Sequence, residues 1–262
     1  MNTLSTDWMR QLAAHYESLR RRNPTERLMI VFDIDGTILD MRYPILRLLR
    51  DYDRAHGSRV FRRLCLAEIR DHESHIEDLL YRLEVPHLLW DGIREFYDQR
   101  FWDLETLLEA HRPFRGVLEV IRWFQLQRNT EVGLNSGRPE EMRAETLTTL
   151  NRLGAEWKVK FADRLLALNP YGWEMDVRRS KVEGLQRFSR AGYRIFAFVD
   201  NEPENLLAVA EADPDAEILL LHADTIFKSR REHLPTRAVS GCDYDPTALI
   251  HEREASSRAQ LL

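Results

Sequence analysis

The chain has 262 residues, of which 44% are hydrophobic and 31% charged, and its formal net charge is −5. This balance is typical of a folded globular protein, and the small negative charge gives no electrostatic reason to expect nucleic acid or an anionic membrane as the main partner. The two cysteines, Cys65 and Cys242, form no CxxC pattern, and no apolar stretch approaches the roughly 20 residues of a membrane helix. We therefore expect a cytoplasmic protein with no membrane partner.

The first strand ends at two carboxylates. Helical periodicity over residues 6–22 precedes the apolar run 28–32, which predicts a buried strand, and Asp33 and Asp35 follow directly. Successive strand residues point to opposite faces, so these carboxylates lean to the same side at the carboxyl end, where open α/β sheets bind ligands. Taken alone, the pattern also fits a strand followed by an Asp-Gly turn in solvent.

Residues 44–112 show helical periodicity in successive segments and no convincing strand. The apolar positions predict four helices, at 46–52, 61–69, 76–83 and 86–102. We interpret this stretch as an all-helical insert. His72 and His75 are three residues apart, not four as in the zinc-protease helix, so we expect no metal there.

From residue 114 onward, strand and helix patterns alternate, which predicts crossover connections and a parallel sheet. The predicted strands are 131–135, 164–168, 193–199 and 216–221, and the predicted helices are 116–127, 139–154, 180–192 and 203–212. The residues after 235 are polar and predict no element.

Three further element boundaries carry reactive side chains, namely Ser136, Lys181 and Asp200. Ser180 and Glu183 have the spacing of a capping box, which places Lys181 at a predicted helix N-terminus. The helix dipole disfavours a cation there unless an anion lies opposite, which favours a functional role for this lysine over that of a solvated side chain.

Together, these boundaries resemble the four motifs of the haloacid dehalogenase superfamily, chiefly its phosphatases. The motifs are Asp33-Ile34-Asp35-Gly36-Thr37, Ser136, Lys181 and Asp200-Asn201-Glu202-Pro203-Glu204. The resemblance covers nearly all of residues 28–221. It implies an α/β fold with a doubly wound, Rossmann-like parallel sheet and an inserted helical cap. The implied core is 1–43 and 113–235, the cap is 44–112, and a C-terminal extension is 236–262.

The same resemblance implies a Mg²⁺-dependent phosphomonoester hydrolase with an aspartyl-phosphate intermediate. Asp33 is then the nucleophile and Asp35 the acid and base, while Asp33, Asp200 and the main-chain carbonyl of Asp35 bind the metal. Mg²⁺ prefers hard oxygen ligands of this kind. Ser136 and Lys181 complete the catalytic set.

The phosphate-binding residues implied by the resemblance are Gly36, Thr37, Ser136, Gly137, Arg138 and Lys181. Asn201 stands where many relatives have a second aspartate, which leaves metal affinity open, and Glu204 is the candidate acid behind the metal. The cap implies a small phosphorylated metabolite as substrate and no nucleic acid. A phosphomutase, a catalytically idle binding protein, and a phosphatase acting on nucleic-acid ends or proteins remain as alternatives.

Overall fold

The computed structural model describes residues 7–173, 175–251 and 253. Parts of the predicted first helix and of the predicted C-terminal extension, residue 6 and residues 252 and 254–262, lie outside the described residues. None of the described helices is long and apolar enough to cross a membrane.

Six described strands form one parallel sheet in the order β3-β2-β1-β4-β5-β6. They are β1 (Leu28–Phe32), β2 (Thr130–Pro139), β3 (Leu166–Asn169), β4 (Arg194–Asp200), β5 (Leu219–Ala223) and β6 (Val239–Gly241). Every residue of the central strand β1 is buried, as expected for a strand covered on both faces. The chain runs outward through β2 and β3 and then returns to β4 on the other side of β1, which is the doubly wound arrangement predicted from the sequence. This reversal places the topological switch point between β1 and β4, where such sheets bind their ligands.

Helices cover both faces of the sheet. The helices of the core are α1 (Asp7–Arg22), α6 (Val117–Gln125), α7 (Arg143–Gly154), α8 (Val177–Arg190) and α9 (Pro203–Ala212). Helices α8 and α9 pack on one face, and α1 and α6 pack on the other. The large apolar side chains of α1 and α6, such as Trp8 and Phe124, are fully buried in the main hydrophobic core.

The segment between β1 and α6 is helical, as predicted, but its helices differ from the predicted set. They are α2 (Arg42–His56), α3 (Ile76–Arg82), α4 (Trp90–Asp98) and α5 (Leu104–Glu109). The predicted helix at 61–69 is absent, and only the short 3-10 turn Leu66–Glu68 lies there. The carboxylate of Asp53 accepts the backbone N–H groups of Val60 (2.9 Å) and Phe61 (2.7 Å), and this arrangement holds the chain in a loop.

Two other predicted boundaries are wrong. The helix predicted to open at the capping box of Ser180 begins one turn earlier, because Ser180 N donates to Asp176 O at 2.9 Å. Pro139, predicted as the first residue of a helix, instead ends β2 and precedes a 3-10 turn. Strand β6 lies in the segment that the sequence left without an element.

Candidate active site

Two aspartates and one lysine meet at the switch point of the sheet. Asp33 follows β1 and Asp200 ends β4, and the two strands pair directly. Lys181 Nζ lies 2.5 Å from Asp33 Oδ1 and 2.9 Å from Asp200 Oδ2, and it donates to the carbonyl oxygen of Asn135 at 2.7 Å. Asp33, Lys181 and Asp200 are all buried. The structure therefore brings together three of the predicted side chains in a site from which most water is excluded.

The pKa values of this cluster are determined by burial and by the presence of two carboxylates beside one ammonium group. Burial raises the pKa of Asp33 to about 7, and the nearby charges of Asp200 and Asp35 act in the same direction, while Lys181 opposes them. Burial would lower the pKa of Lys181, but the charges of Asp200 and Asp33 outweigh it and raise this pKa. The lysine is thus held as a cation between two carboxylates whose combined charge it does not neutralise.

Asp200 is supported from its own loop. Asn205 Nδ2 lies 3.2 Å from both carboxylate oxygens of Asp200, and the backbone N–H of Glu202 donates to Oδ1 at 2.8 Å. These bonds fix the carboxylate in one orientation. Asn205 was not predicted from the sequence. Its position in the first turn of the helix that follows Asp200 could have indicated a hydrogen bond to that aspartate.

Asp35 is paired with a different cation. Arg138 Nε and Nη2 donate to the two carboxylate oxygens of Asp35 at 2.7 and 2.6 Å, and Nη1 donates to Thr146 Oγ1 at 3.1 Å. Burial would raise the pKa of Asp35, but the charge and the hydrogen bonds of Arg138 outweigh it and lower this pKa. Arg138 was predicted to bind phosphate. Arg138 lines the cavity, its guanidinium bonds to Asp35 and Thr146, and it lies against the ring of Trp102, 5.1 Å from the ring centroid.

The turn after β1 is held by Asn201. Gly36 has φ +78°, and a Cβ at this position would lie 2.1 Å from Asn201 Nδ2. Asn201 Nδ2 donates to Ile226 O at 2.7 Å, and its Oδ1 accepts from the hydroxyl of Thr37 at 3.4 Å. Gly36, Thr37 and Asn201 are thus brought together, and the amide of Asn201 serves the packing of this turn.

Ser136 and Gly137 lie at the carboxyl end of β2, beside β1. Ser136 is buried, and its Oγ accepts the backbone N–H of Arg138 at 3.2 Å. Both residues line the same cavity as Asp33 and Lys181. The hydroxyl therefore lies at the edge of the sheet where the sequence analysis expected it.

Glu204 was predicted to support the metal, and the structure orients it differently. Its carboxylate pairs with His233 at 2.9 Å and with Arg178 at 3.8 Å. Glu202 of the same motif also lines the cavity, and its carboxylate accepts the backbone N–H groups of Lys228 (2.5 Å) and Ser229 (3.0 Å). Burial raises the pKa of Glu202 and the charge of Asp200 adds to this rise, while the hydrogen bonds from Lys228 and Ser229 oppose it.

The helical segment contributes a carboxyl group to the same cavity. Glu73 lies in the loop before α3, and the phenol of Tyr97 donates to its main-chain carbonyl at 3.0 Å. Burial raises the pKa of Glu73 to about 8, and the charges of Asp35, Glu202 and Asp33 add to this effect. From the sequence, this loop was considered only for the histidine spacing of a zinc-protease helix, and the position of Glu73 beside the aspartates was not predicted.

The cavity beside these residues has a volume of about 1160 Å³. Its walls come from the strand ends of the sheet, from the helical segment and from the loop after β5. The side chains that line it include Asp33, Asp35, Glu73, Trp102, Ser136, Trp173, Lys181, Glu202, Lys228 and Arg230. Trp102 of the helical segment and Trp173 of the core are in contact, with ring centroids 4.7 Å apart, so the two parts of the chain meet at the cavity.

The donor groups at this site fit a magnesium ion. No group of three or more His, Cys, Asp or Glu side chains within the described residues could hold a metal by itself. However, Mg²⁺ is commonly bound by one or two carboxylates with water and substrate phosphate. Asp33 and Asp200 supply two such carboxylates, and one lysine leaves negative charge that a dication would offset.

No protein-family model and no curated protein matches this chain, whereas solved structures match its fold. A candidate phosphatase from Clostridium difficile is 12% identical, with a TM-score of 0.51, and the match covers 82% of this chain and 94% of that one. A haloacid dehalogenase-like family hydrolase from Streptococcus pneumoniae is 11% identical (TM-score 0.49, covering 86% and 97%). A candidate beta-phosphoglucomutase from Thermotoga maritima is 15% identical (TM-score 0.49, covering 87% and 99%). At 12% identity, the likeness to the Clostridium difficile protein shows a shared fold.

Proposed function

We propose that this chain, which has the fold of the haloacid dehalogenase-like hydrolases, is a Mg²⁺-dependent phosphomonoester hydrolase acting through an aspartyl-phosphate. The observation that carries the proposal is the pair Asp33 and Asp200 at the switch point, bridged by Lys181, with a second acid two residues after Asp33. A carboxylate that attacks an anionic phosphoryl group meets Coulomb repulsion, which is large where water is excluded. Such chemistry requires cations beside the nucleophile.

In this proposal, an oxygen of Asp33 attacks phosphorus, and the bond between phosphorus and the ester oxygen breaks. Asp35 donates a proton to the departing oxygen and then takes a proton from the water that hydrolyses the aspartyl-phosphate. The products are the alcohol and inorganic phosphate. The proton that Asp35 donates is the one it took from the hydrolytic water of the preceding turnover, or from solvent before the first. Arg138 donates to both oxygens of Asp35 and so stabilises the carboxylate that remains, which is the base of the second step.

Lys181 and Ser136 hold the transferring phosphoryl group in this scheme, together with main-chain N–H groups near Gly36 and Gly137. Asp33, Asp200 and the main-chain carbonyl of Asp35 would hold Mg²⁺. When bound, the ion offsets negative charge on the phosphoryl oxygens. Lys181 and Asn205 meanwhile keep the carboxylate of Asp200 in place.

The cap is proposed to comprise residues 44–112 and to cover the substrate. Glu73 and Trp102 from this segment line the cavity, and its volume of about 1160 Å³ is sufficient for a small phosphorylated metabolite. A closed cap excludes bulk water and limits the leaving group to what the cavity encloses.

The test is phosphate release from a panel of small phosphomonoesters, by the wild type and by Asp33→Asn, with Mg²⁺ and with chelator. We expect release that depends on Mg²⁺ and falls to background in the variant. Asp98 lines the same cavity but lies on an exposed part of α4, so Asp98→Asn is the matched control and should retain activity within about twofold. Turnover by a folded Asp33→Asn protein would overturn the nucleophile assignment. Transfer of phosphate to a second hydroxyl of the substrate, faster than to water, would indicate a mutase.

A further inference from the structure

A second concave site lies away from the active-site cavity and shares no lining residue with it. Its volume is about 830 Å³. Six arginines line it: Arg47, Arg50 and Arg54 of α2, Arg59 and Arg62 of the loop after α2, and Arg112. We call this the arginine groove. Only two carboxylates, those of Asp53 and Glu109, line it as well, although the whole chain has a net charge of −5.

Few of these arginines are neutralised by the protein. Arg47 pairs with Asp51 at 2.7 Å and with Glu109 at 3.4 Å, and Arg54 also pairs with Asp51. Arg50 and Arg112 donate to main-chain carbonyl oxygens, of Leu64 and His111 respectively. Neither these two nor Arg59 and Arg62 have a carboxylate partner within the described part of the chain. Several like charges around one concave surface repel one another unless an anion lies between them.

The loop that carries two of these arginines is held in place by a buried acid. Asp53 is 8% exposed, and its carboxylate accepts from the hydroxyl of Ser58 and from the backbone N–H groups of Val60 and Phe61. The carboxylate of Asp53 is therefore hydrogen-bonded to the loop and is not paired with a guanidinium group of the groove. Because Asp53 orders the loop, Arg59 and Arg62 are held on the groove, and neither has an ion-pair partner among the residues that the structure describes.

The groove also lies where the helical segment joins the core. Arg112 belongs to the segment that returns to the core, and its carbonyl oxygen accepts the backbone N–H of Asp40 at 2.8 Å. Tyr43, the second residue of α2, forms another part of the wall and is 38% exposed. A ligand in the groove would thus contact both connections of the helical segment.

We propose that the arginine groove binds a small polyanion that carries two or more phosphate groups. Guanidinium groups form paired hydrogen bonds with phosphate oxygens, and several of them around one cavity favour a ligand with several charges. The volume is in the range of pockets for small molecules, and the net negative charge of the chain disfavours a long nucleic acid that would extend beyond the groove. This proposal does not depend on the proposed phosphatase activity, because it concerns binding at other residues.

The test measures binding of inorganic tripolyphosphate and of orthophosphate by calorimetry in metal-free buffer. We expect the wild type to bind tripolyphosphate at least about tenfold more tightly than orthophosphate, with an affinity that falls as salt is added. The double variant Arg59→Gln/Arg62→Gln should lose about tenfold or more of this affinity. Arg63→Gln is the matched control, because Arg63 is exposed on the same loop but does not line the groove. It should change affinity by less than about twofold.

Several outcomes would overturn the proposal. They are the absence of tripolyphosphate binding at low salt, unchanged binding by the double variant, and an equal loss in Arg63→Gln. A single-stranded ten-nucleotide oligomer that binds the groove more tightly than tripolyphosphate would replace the small ligand with nucleic acid. An unchanged melting temperature and unchanged phosphate release by the double variant would show that lost binding does not result from unfolding or from damage to the active site.

Discussion

The charges of the candidate site are divided into two groups. Asp35 has Arg138 as its own cation, through two hydrogen bonds of 2.7 and 2.6 Å, whereas Asp33 and Asp200 share the single ammonium of Lys181. The first group is therefore neutral and the second carries surplus negative charge. This division separates the proposed acid and base from the proposed nucleophile and metal ligands.

Arg138→Gln should change the pH dependence of turnover. Removing the guanidinium lets burial raise the pKa of Asp35, so the carboxylate needed for hydrolysis of the aspartyl-phosphate forms only at higher pH. We expect the acidic limb of the pH profile of aspartyl-phosphate hydrolysis to move up by about 1–2 pH units, because an opposite charge at this distance commonly has an effect of that size. The measurement is the rate at which the aspartyl-phosphate formed from one substrate hydrolyses, from pH 4 to 9.

The matched control for that profile is Arg143→Gln. Arg143 follows the same strand but pairs with Glu140 and Asp163 on the surface. Its removal should leave the acidic limb where it is. An unshifted profile in Arg138→Gln, in a protein that still folds, would mean that Arg138 does not control Asp35.

Lys181→Met should make the protein depend on Mg²⁺ for stability. Without the ammonium, Asp33 and Asp200 remain as buried carboxylates without their cation, and breaking a buried pair in this way typically costs about 3–5 kcal/mol. A bound dication offsets the same charge, so Mg²⁺ should raise the melting temperature more in the variant than in the wild type. Equal shifts with Mg²⁺ in both proteins would argue against metal binding beside Lys181.

The sequence could predict those side chains whose position follows from one strand end. Asp33 and Asp35 follow a strand, Asp200 ends one and Ser136 lies near the carboxyl end of one, so local patterns placed all four at one edge of the sheet. The partner of Asp35 could not be found in this way, because Arg138 lies 103 residues further along the chain. The orientation of a side chain also depends on residues far away in the sequence. Glu204, for example, pairs with His233.

Among whole elements, the buried strands were the easiest to predict. Central strands are uninterrupted apolar runs, and the boundaries of β1 and α9 agree with the sequence patterns. The helix predicted at 61–69 is replaced by a loop and a short 3-10 turn, and the carboxylate of Asp53 accepts backbone N–H groups of this loop. Strand β6 has only three residues and follows a polar stretch, so it is too short to show the alternation of apolar and polar residues that predicts a strand.

The loop before α3 should make stability depend on pH through Glu73. Its folded pKa of about 8 lies above the value for an unfolded glutamate, so the folded state retains a proton that the unfolded state releases. The contribution of Glu73 to the free energy of unfolding is therefore greatest below about pH 4.5. It falls as the pH rises toward 8, by up to about 1.4 kcal/mol per pH unit. Glu73→Gln removes this loss.

We accordingly expect Glu73→Gln to match the wild type near pH 5 and to be more stable at pH 8, as measured by urea unfolding at both values. Glu105→Gln is the control, since Glu105 is exposed at the start of α5 and should not change the pH dependence. A difference between Glu73→Gln and wild type that is the same at pH 5 and pH 8 would contradict the proposed burial of a protonated carboxyl.

At the scale of the whole molecule, the described ends of the chain pack together against the core. Trp8 of α1 is fully buried, packs against Tyr244 with ring centroids 4.9 Å apart, and donates its indole N–H to Asp243 O at 2.8 Å. The phenol of Tyr244 in turn donates to Thr37 O at 2.8 Å, within the first motif. The C-terminal segment therefore packs against the turn that follows the proposed nucleophile and supports it. The sequence did not indicate this contact.

Trp8→Ala should be far more destabilising than Tyr244→Phe. The first change opens a large cavity between α1 and the C-terminal segment and should cost about 3–5 kcal/mol, whereas the second removes one hydrogen bond and should cost about 1–3 kcal/mol. Urea unfolding measures both, and Ile250→Ala, at a site that is 45% exposed, should change stability by less than about 1 kcal/mol. Because Tyr244 holds Thr37, Tyr244→Phe should also lower phosphate release under conditions where the protein is fully folded. If release is unchanged while stability falls, the C-terminal segment supports the fold without positioning the first motif.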